Sequence, residues 1–149
     1  MLHPSQFQIN EAWIAFQLNE KPIHTEQDGS FNCFCLMDAS SCYIFGVELV
    51  PASEAEPSQL QIVRLLQAAW GKKRQFPKTL YLPKGRFQNA VVAEAARRDI
   101  AVISVEEDKL LPFIGDAREG YREHLLQDDR GILTIGWSAA GYHVRHARE

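Results

Sequence analysis

The side chains of this chain best suited to act together in chemistry are its carboxylates at the ends of apolar runs. Asp38 closes the run "FNCFCLMD", and Glu106, Glu107 and Asp108 follow "IAVISV". Acids at the ends of neighbouring strands can hold a pair of divalent cations, one activating the attacking oxygen and the other stabilising the leaving one. Such hard cations take oxygen ligands, so the positions must be Asp or Glu. Glu54, Glu56, Glu119 and Glu123 are further acids on expected helices, where a glutamate ordinarily faces solvent. A second grouping is basic: Lys72, Lys73, Arg74 and Lys78, then Lys84 and Arg86. These could grip phosphates, with a salt dependence set by the number of contacts. "WGKKR" lacks the upstream glycine of a phosphate-binding P-loop. Cys33 and Cys35 alternate, so both face one side of a strand. With Cys42 they make an odd count that suits reduced core thiols better than a disulfide framework. His143 and His146 lie in the terminal "HVRHARE", which reads as a frayed tail. No G-x-S-x-G elbow is present, and no histidine pairs recognisably with a cysteine nucleophile.

The elements that must position these groups follow from hydrophobic period. "EAWIAFQL" (11–18), "FNCFCLMDA" (31–39) and "CYIFGVELV" (42–50) read as strands, the last two buried on both faces. Asp28-Gly29 is a hairpin signal, and Ser40-Ser41 a tight turn that Asp38 can cap with a side-chain oxygen. Three strands with short connections make an antiparallel meander. The period then changes. Ser53 with Glu56 matches a capping box, and Gln59, Ile62, Val63, Leu66 and Trp70 fall on one helical face before Gly71. "KTLYLP" (78–83) is a strand. "GRFQNAVVAEAARRD" (85–99) is a helix with Phe87, Val91, Ala95 and Arg98 in line, and "IAVISV" (100–105) is another strand. Strand–helix–strand units favour parallel pairing through a right-handed crossover. Asp116 with Glu119 marks a further helix start, running to Leu126, and "GILTIGW" (131–137) suits a last strand. The expectation is an α/β domain: three antiparallel strands, then alternating helix and strand with parallel pairing, in one mixed sheet with helices on both faces.

A chain of 149 residues suits one domain, with its core over about 10–127 and an extension over 128–149. Net charge is −3, which argues against a strong nucleic-acid binder and leaves room for a local basic stripe. No membrane-length apolar run and no leader-like start are present, so a cytoplasmic protein is expected.

The order of parts from about Asn10 to Val105 resembles the catalytic core of retroviral-type integrases and DDE transposases, in the ribonuclease H-like superfamily. "NEAW" (10–13) looks like that family's opening N-x-x-W, and Asp28-Gly29 like its P-D-G. "CLMDASSCYIFGVEL" is similar to V-x-D-x-F-S-R-Y-I-x-G-W-x-L, and Gly85 matches the glycine of S-D-x-G-x-x-F. The resemblance implies a ribonuclease H-like fold and three cation-binding carboxylates, two from neighbouring central strands and one from a later helix. The first follows the tryptophan by three positions, where this chain has Phe16. The second stands two before the glycine, where it has Pro83. The third falls to the helix carrying Glu119 and Glu123. Asp38 matches a family position outside the three.

The resulting expectation is a non-catalytic integrase-like core with no metal site and no cofactor, a pseudoenzyme acting in binding or assembly. Its partners would be a second copy, another protein, or weakly a nucleic acid through Lys72, Lys73, Arg74, Lys84 and Arg86. The alternative is a divergent metal-dependent nuclease with relocated carboxylates, drawn from Asp38, Glu54 or Glu56, and Glu106, Glu107 or Asp108. A third possibility is a small-molecule pocket lined by Trp70, Tyr81 and Trp137.

Overall fold

The computed structural model describes residues 3–25 and 29–127. The apolar runs are strands: β1 (Ala12–Gln17), β2 (Ile23–Thr25), β3 (Gly29–Asp38), β4 (Ile44–Pro51), β5 (Thr79–Pro83) and β6 (Ala101–Val105). The helices are α1 (Gln59–Lys73), α2 (Gln88–Ala96) and α3 (Glu107–Gln127). β3 pairs antiparallel with both β1 and β4, the meander that the short connections predict. β5 pairs parallel with β1, and β6 with β5. The spatial order is therefore β4-β3-β1-β5-β6, with β1 central. Phe31 pairs with Ile23 on one side and Pro51 on the other, so the short β2 lies on the β1 side of β3. β2 lies in a polar stretch that no hydrophobic period marks as a strand.

The sheet is covered on both faces. Ile14, Phe16, Cys33, Cys35 and Met37 meet Leu110, Phe113 and Ile114 of α3. Trp13, Phe34, Leu80 and Leu82 meet Ile62, Leu65 and Leu66 of α1 and Val91 and Ala95 of α2. Burial on both sides explains why β1 and β3 read as continuous apolar runs rather than alternating ones.

Four boundaries differ from expectation, each for a physical reason. α1 is capped by Ser58, whose hydroxyl accepts from Gln61 N while the Gln61 side chain accepts from Ser58 N. A start at Ser53 would place Pro57 beyond the first turn, where its missing N–H breaks the ladder. Glu56 instead caps α2, accepting from Ala90 N at 3.2 Å and Asn89 Nδ2 at 3.1 Å. α1 runs through Gly71 and stops where Arg74 turns left-handed, at φ 56°. α2 starts three residues late because Gly85 and Phe87 both hold positive φ, 79° and 59°, which a helix cannot include. α3 begins at Glu107, straight after β6, and contains Pro112, so Asp116 lies within it rather than at its start. The proposed strand at 131–137 and the tail lie outside the described residues.

Candidate functional site

The two ends of β1 carry the residues that the sequence singled out. At its beginning, Trp13 sits opposite Asp38 across the antiparallel ladder. Asp38 is fully buried and every contact it makes is structural. Its Oδ1 accepts from Asn10 N at 2.7 Å, and its Oδ2 from Ser41 N and Ser41 Oγ, each at 2.8 Å. Asn10, in the left-handed region at φ 66°, uses its Oδ1 to accept from Trp13 Nε1 at 2.7 Å. The N-x-x-W spacing is thus a clasp. Asn10 and Trp13 close one side, the Ser40-Ser41 turn closes the other, and Asp38 joins them. Three donors on its two buried oxygens leave this carboxylate for architecture, not for an ion: the capping role read from sequence is present, together with a bond to Asn10 that periodicity could not reveal.

The other end of β1 is where β1, β5 and β6 all finish. Ala12 is opposite Thr79, Trp13 opposite Leu80 and Ile14 opposite Tyr81. The β1–β5 ladder ends at Ile14 and Tyr81; the same register carried two residues on would set Phe16 opposite Pro83. Phe16 has no exposed surface and packs beneath α3. Next to it, Arg118 of α3 donates through Nε and Nη2 to the Gln17 carbonyl at 3.3 and 3.0 Å, and through Nη2 to Glu107 Oε1 at 2.6 Å. Arg86 Nη2 donates to Gln17 Oε1 at 3.1 Å, and Lys84 lies 3.6 Å from Glu106. A phenyl ring and a pyrrolidine offer no oxygen to a divalent cation, and a guanidinium beside them repels one. These residues do not fit two divalent cations. Sequence reasoning passed over Arg118, and no spacing marked it, because its role depends on how α3 crosses the sheet.

The remaining acids are dispersed. Asp38 is at the opposite end of β1 from the Glu106–Asp108 string that follows β6, so the two cannot share an ion. Glu48 accepts from Arg64 at 2.7 Å. Glu119 is exposed on α3. Among the described residues, no three His, Cys, Asp or Glu side chains converge as cation ligands. Buried Glu94 is bonded by Arg98 at 3.0 Å and Gln59 at 2.7 Å, which hold its carboxyl below the usual glutamate range.

The basic residues also divide. Lys84 and Arg86 stand beside Phe16 and Pro83. Lys72, Lys73 and Arg74 close α1 at the start of β5, and Lys72 Nζ bonds the Tyr43 hydroxyl at 2.6 Å. The length of β5, roughly 3.3 Å per residue, separates the two groups. Cys33 and Cys35 are buried together beneath α3, and burial pushes the Cys35 thiol up. None of the three cysteines is in a disulfide. Tyr81 faces α3, whereas Trp70 caps the end of α1 against Phe76, so they do not line one pocket. The cavity between the sheet and α1/α2 measures about 10 Å³, room for no more than a water. Trp137, His143 and His146 lie outside the described residues, and the side chain of Glu123 is not described.

No family model matches the chain, and none of the curated proteins does. Solved structures do. The catalytic core domain of BIV integrase superposes with a TM-score of 0.57 at 14% identity, covering 93% of this chain and 80% of that one. The HTLV-2 integrase catalytic core domain, determined with magnesium in a dimeric form, gives 0.53 at 11%, covering 93% and 82%. The fold is that of an integrase catalytic core. Its ribonuclease H-like sheet and the order of its parts agree with the resemblance carried by "NEAW" and "CLMDASSCYIFGVEL". A simian T-cell lymphotropic virus intasome, bound to the PP2A regulatory subunit B56 gamma, contributes a third similar chain, of which the match covers 46% at a TM-score of 0.55 and 10% identity. At such identities the likeness establishes the integrase-type core as a fold. Among the described residues no helix is long and apolar enough to cross a membrane.

Proposed function

We propose that this integrase-like core has no cation-dependent strand chemistry and acts by binding. One observation carries the reading: Phe16, at the end of β1, is fully buried under α3, with the Arg118 guanidinium bonded to the neighbouring Gln17 carbonyl, and β5 ends nearby in Pro83. A two-cation reaction needs acids at such positions. Here an aromatic ring supplies core packing, and the positive charge comes from an arginine. Binding is the use left to the preserved scaffold, with Lys84 and Arg86 at this end and Lys72, Lys73 and Arg74 at the other as weak phosphate contacts.

The test is incubation of the purified chain with labelled single- and double-stranded DNA in magnesium or manganese. The expected result is no cleavage or joining, and at most a weak, salt-sensitive mobility shift that falls when Lys84 and Arg86 are changed to Ala. Metal-dependent cleavage that disappears on changing Glu106, Glu107 and Asp108 to the amides would instead establish the relocated-carboxylate nuclease.

A further inference from the structure

Among the described residues Trp70 is the most exposed aromatic, 39% open to solvent at the end of α1. It is nevertheless held in place. Its ring packs on Phe76 at 4.8 Å and a tilt of 36°, and Phe76 is held in turn by Trp13 at 6.2 Å and by the Arg98 guanidinium at 6.0 Å. The pair makes a fixed apolar platform. Around it, residues 72–78 carry four cations, Lys72, Lys73, Arg74 and Lys78, and no acid. Lys72 is set over the Tyr43 ring at 5.0 Å, with its Nζ on the hydroxyl. Lys73, Arg74 and Lys78 have no ion-pair partner among the described residues. Glu11 and Asp99 lead into the strands on either side of Lys78, yet Glu11 Oε1 accepts from Gln8 N and neither acid pairs with the lysine. The negative end of α1 accounts for Lys72 and Lys73 in its last turn. That field falls off within the turn, and Lys78 lies beyond it.

We infer that this end of α1 is a docking surface for an acidic peptide with an apolar anchor. The anchor lies on Trp70 and Phe76, and Asp or Glu side chains flanking it meet Lys73, Arg74 and Lys78. Tryptophan and arginine are among the residues that most often carry the energy of a protein contact. A platform already held by its neighbours gives up little freedom on binding. Charge selects a peptide over a nucleic acid. The whole chain carries −3, so without these four cations the remainder carries −7. A polyanion running past the patch meets that negative remainder, whereas a short acidic segment ends within the basic rim. Exposed ion pairs contribute little each, so the anchor supplies most of the affinity, and the charges supply orientation and salt dependence. The inference rests on the reading of the chain as a binding module, and gives one of its two basic groups a protein partner, with phosphate as the weaker ligand.

Fluorescence anisotropy of the full chain, without divalent metal, against a labelled peptide of Asp and Glu around a single Phe tests this. The expected result is saturable binding that weakens at least about tenfold in Trp70→Ala and in the double variant Lys73→Glu/Arg74→Glu, and is unchanged in Lys109→Glu on α3. Circular dichroism confirms that each variant remains folded. A peptide with Ser in place of its Phe should lose affinity to a similar degree, a measurement that needs no change to the protein. Binding that is absent, or indifferent to Trp70→Ala and to the exchange of Phe for Ser, overturns the inference. So does an oligothymidylate of equal charge that binds the wild type more tightly than the peptide, which would make the patch a nucleic-acid surface. None of these results touches the non-catalytic reading, which metal-dependent cleavage alone defeats.

Discussion

At the start of β1, a buried carboxylate is retained and fully bonded. At the finish of the same strand, a buried phenyl ring and a proline offer no oxygen to a cation. Asp38 survives because Asn10, Ser41 and the turn between β3 and β4 depend on it. The finish of β1 is held by packing under α3, with Arg118 donating to the Gln17 carbonyl. The contrast teaches that a buried acid in a fold associated with metal-dependent enzymes is not in itself a sign of catalysis. What decides is whether its oxygens are already occupied by protein donors.

The sharpest way to break the comparison is to place a carboxylate at the finish of β1. Phe16→Asp removes a fully buried ring and leaves an unpaired charge in the core, so a loss of at least ~4 kcal/mol in urea unfolding is expected. A variant that folds normally would mean that this end is still a polar site. Next in size, Asp38→Ala orphans the buried Asn10 and Ser41 amides and should cost about 2–4 kcal/mol. Asp38→Asn, which keeps acceptor oxygen on one side, should lose less, and equal losses would show that the clasp is not what matters. Arg118→Met leaves the Gln17 carbonyl without these donors and should cost roughly 1–2 kcal/mol, with no gain of cation affinity. The smallest effect concerns Glu94, on α2. Its carboxyl is held below the ordinary glutamate value by Arg98 and Gln59. A depressed folded-state value means that the stabilisation is present above about pH 4.3 and is lost as pH falls through the folded value. Wild type and Glu94→Gln should therefore differ in melting temperature near neutrality and converge in acid. A difference independent of pH would contradict the charge-based account.

Much of the fold was legible because β1, β3 and β4 are apolar on both faces and α1 and α2 carry apolar residues at helical spacing. Phe16 and Pro83 were singled out only through the family resemblance, by their spacing from Trp13 and Gly85. What escaped was set by tertiary contact. Glu56 looked like part of a cap for its own segment, and only the packing of α2 beside it shows which helix it caps. The Asp116/Glu119 spacing imitated a helix start because a cap is a local pattern, and nothing local says that the helix is already under way from Glu107. The grouping of the basic residues failed for a similar reason. Arg74 and Lys84 are ten positions apart in sequence, yet β5 carries them to opposite ends of the sheet. Arg118 was invisible because its partners, Gln17 and Glu107, come from a different strand and from three turns away on its own helix.

Titration of the full chain with magnesium and then manganese by isothermal calorimetry tests the central claim most directly. A sealed strand end predicts no saturable heat into the millimolar range, unchanged when Glu106, Glu107 and Asp108 are replaced by amides. Stoichiometric binding tighter than millimolar, lost with those same replacements, would contradict it.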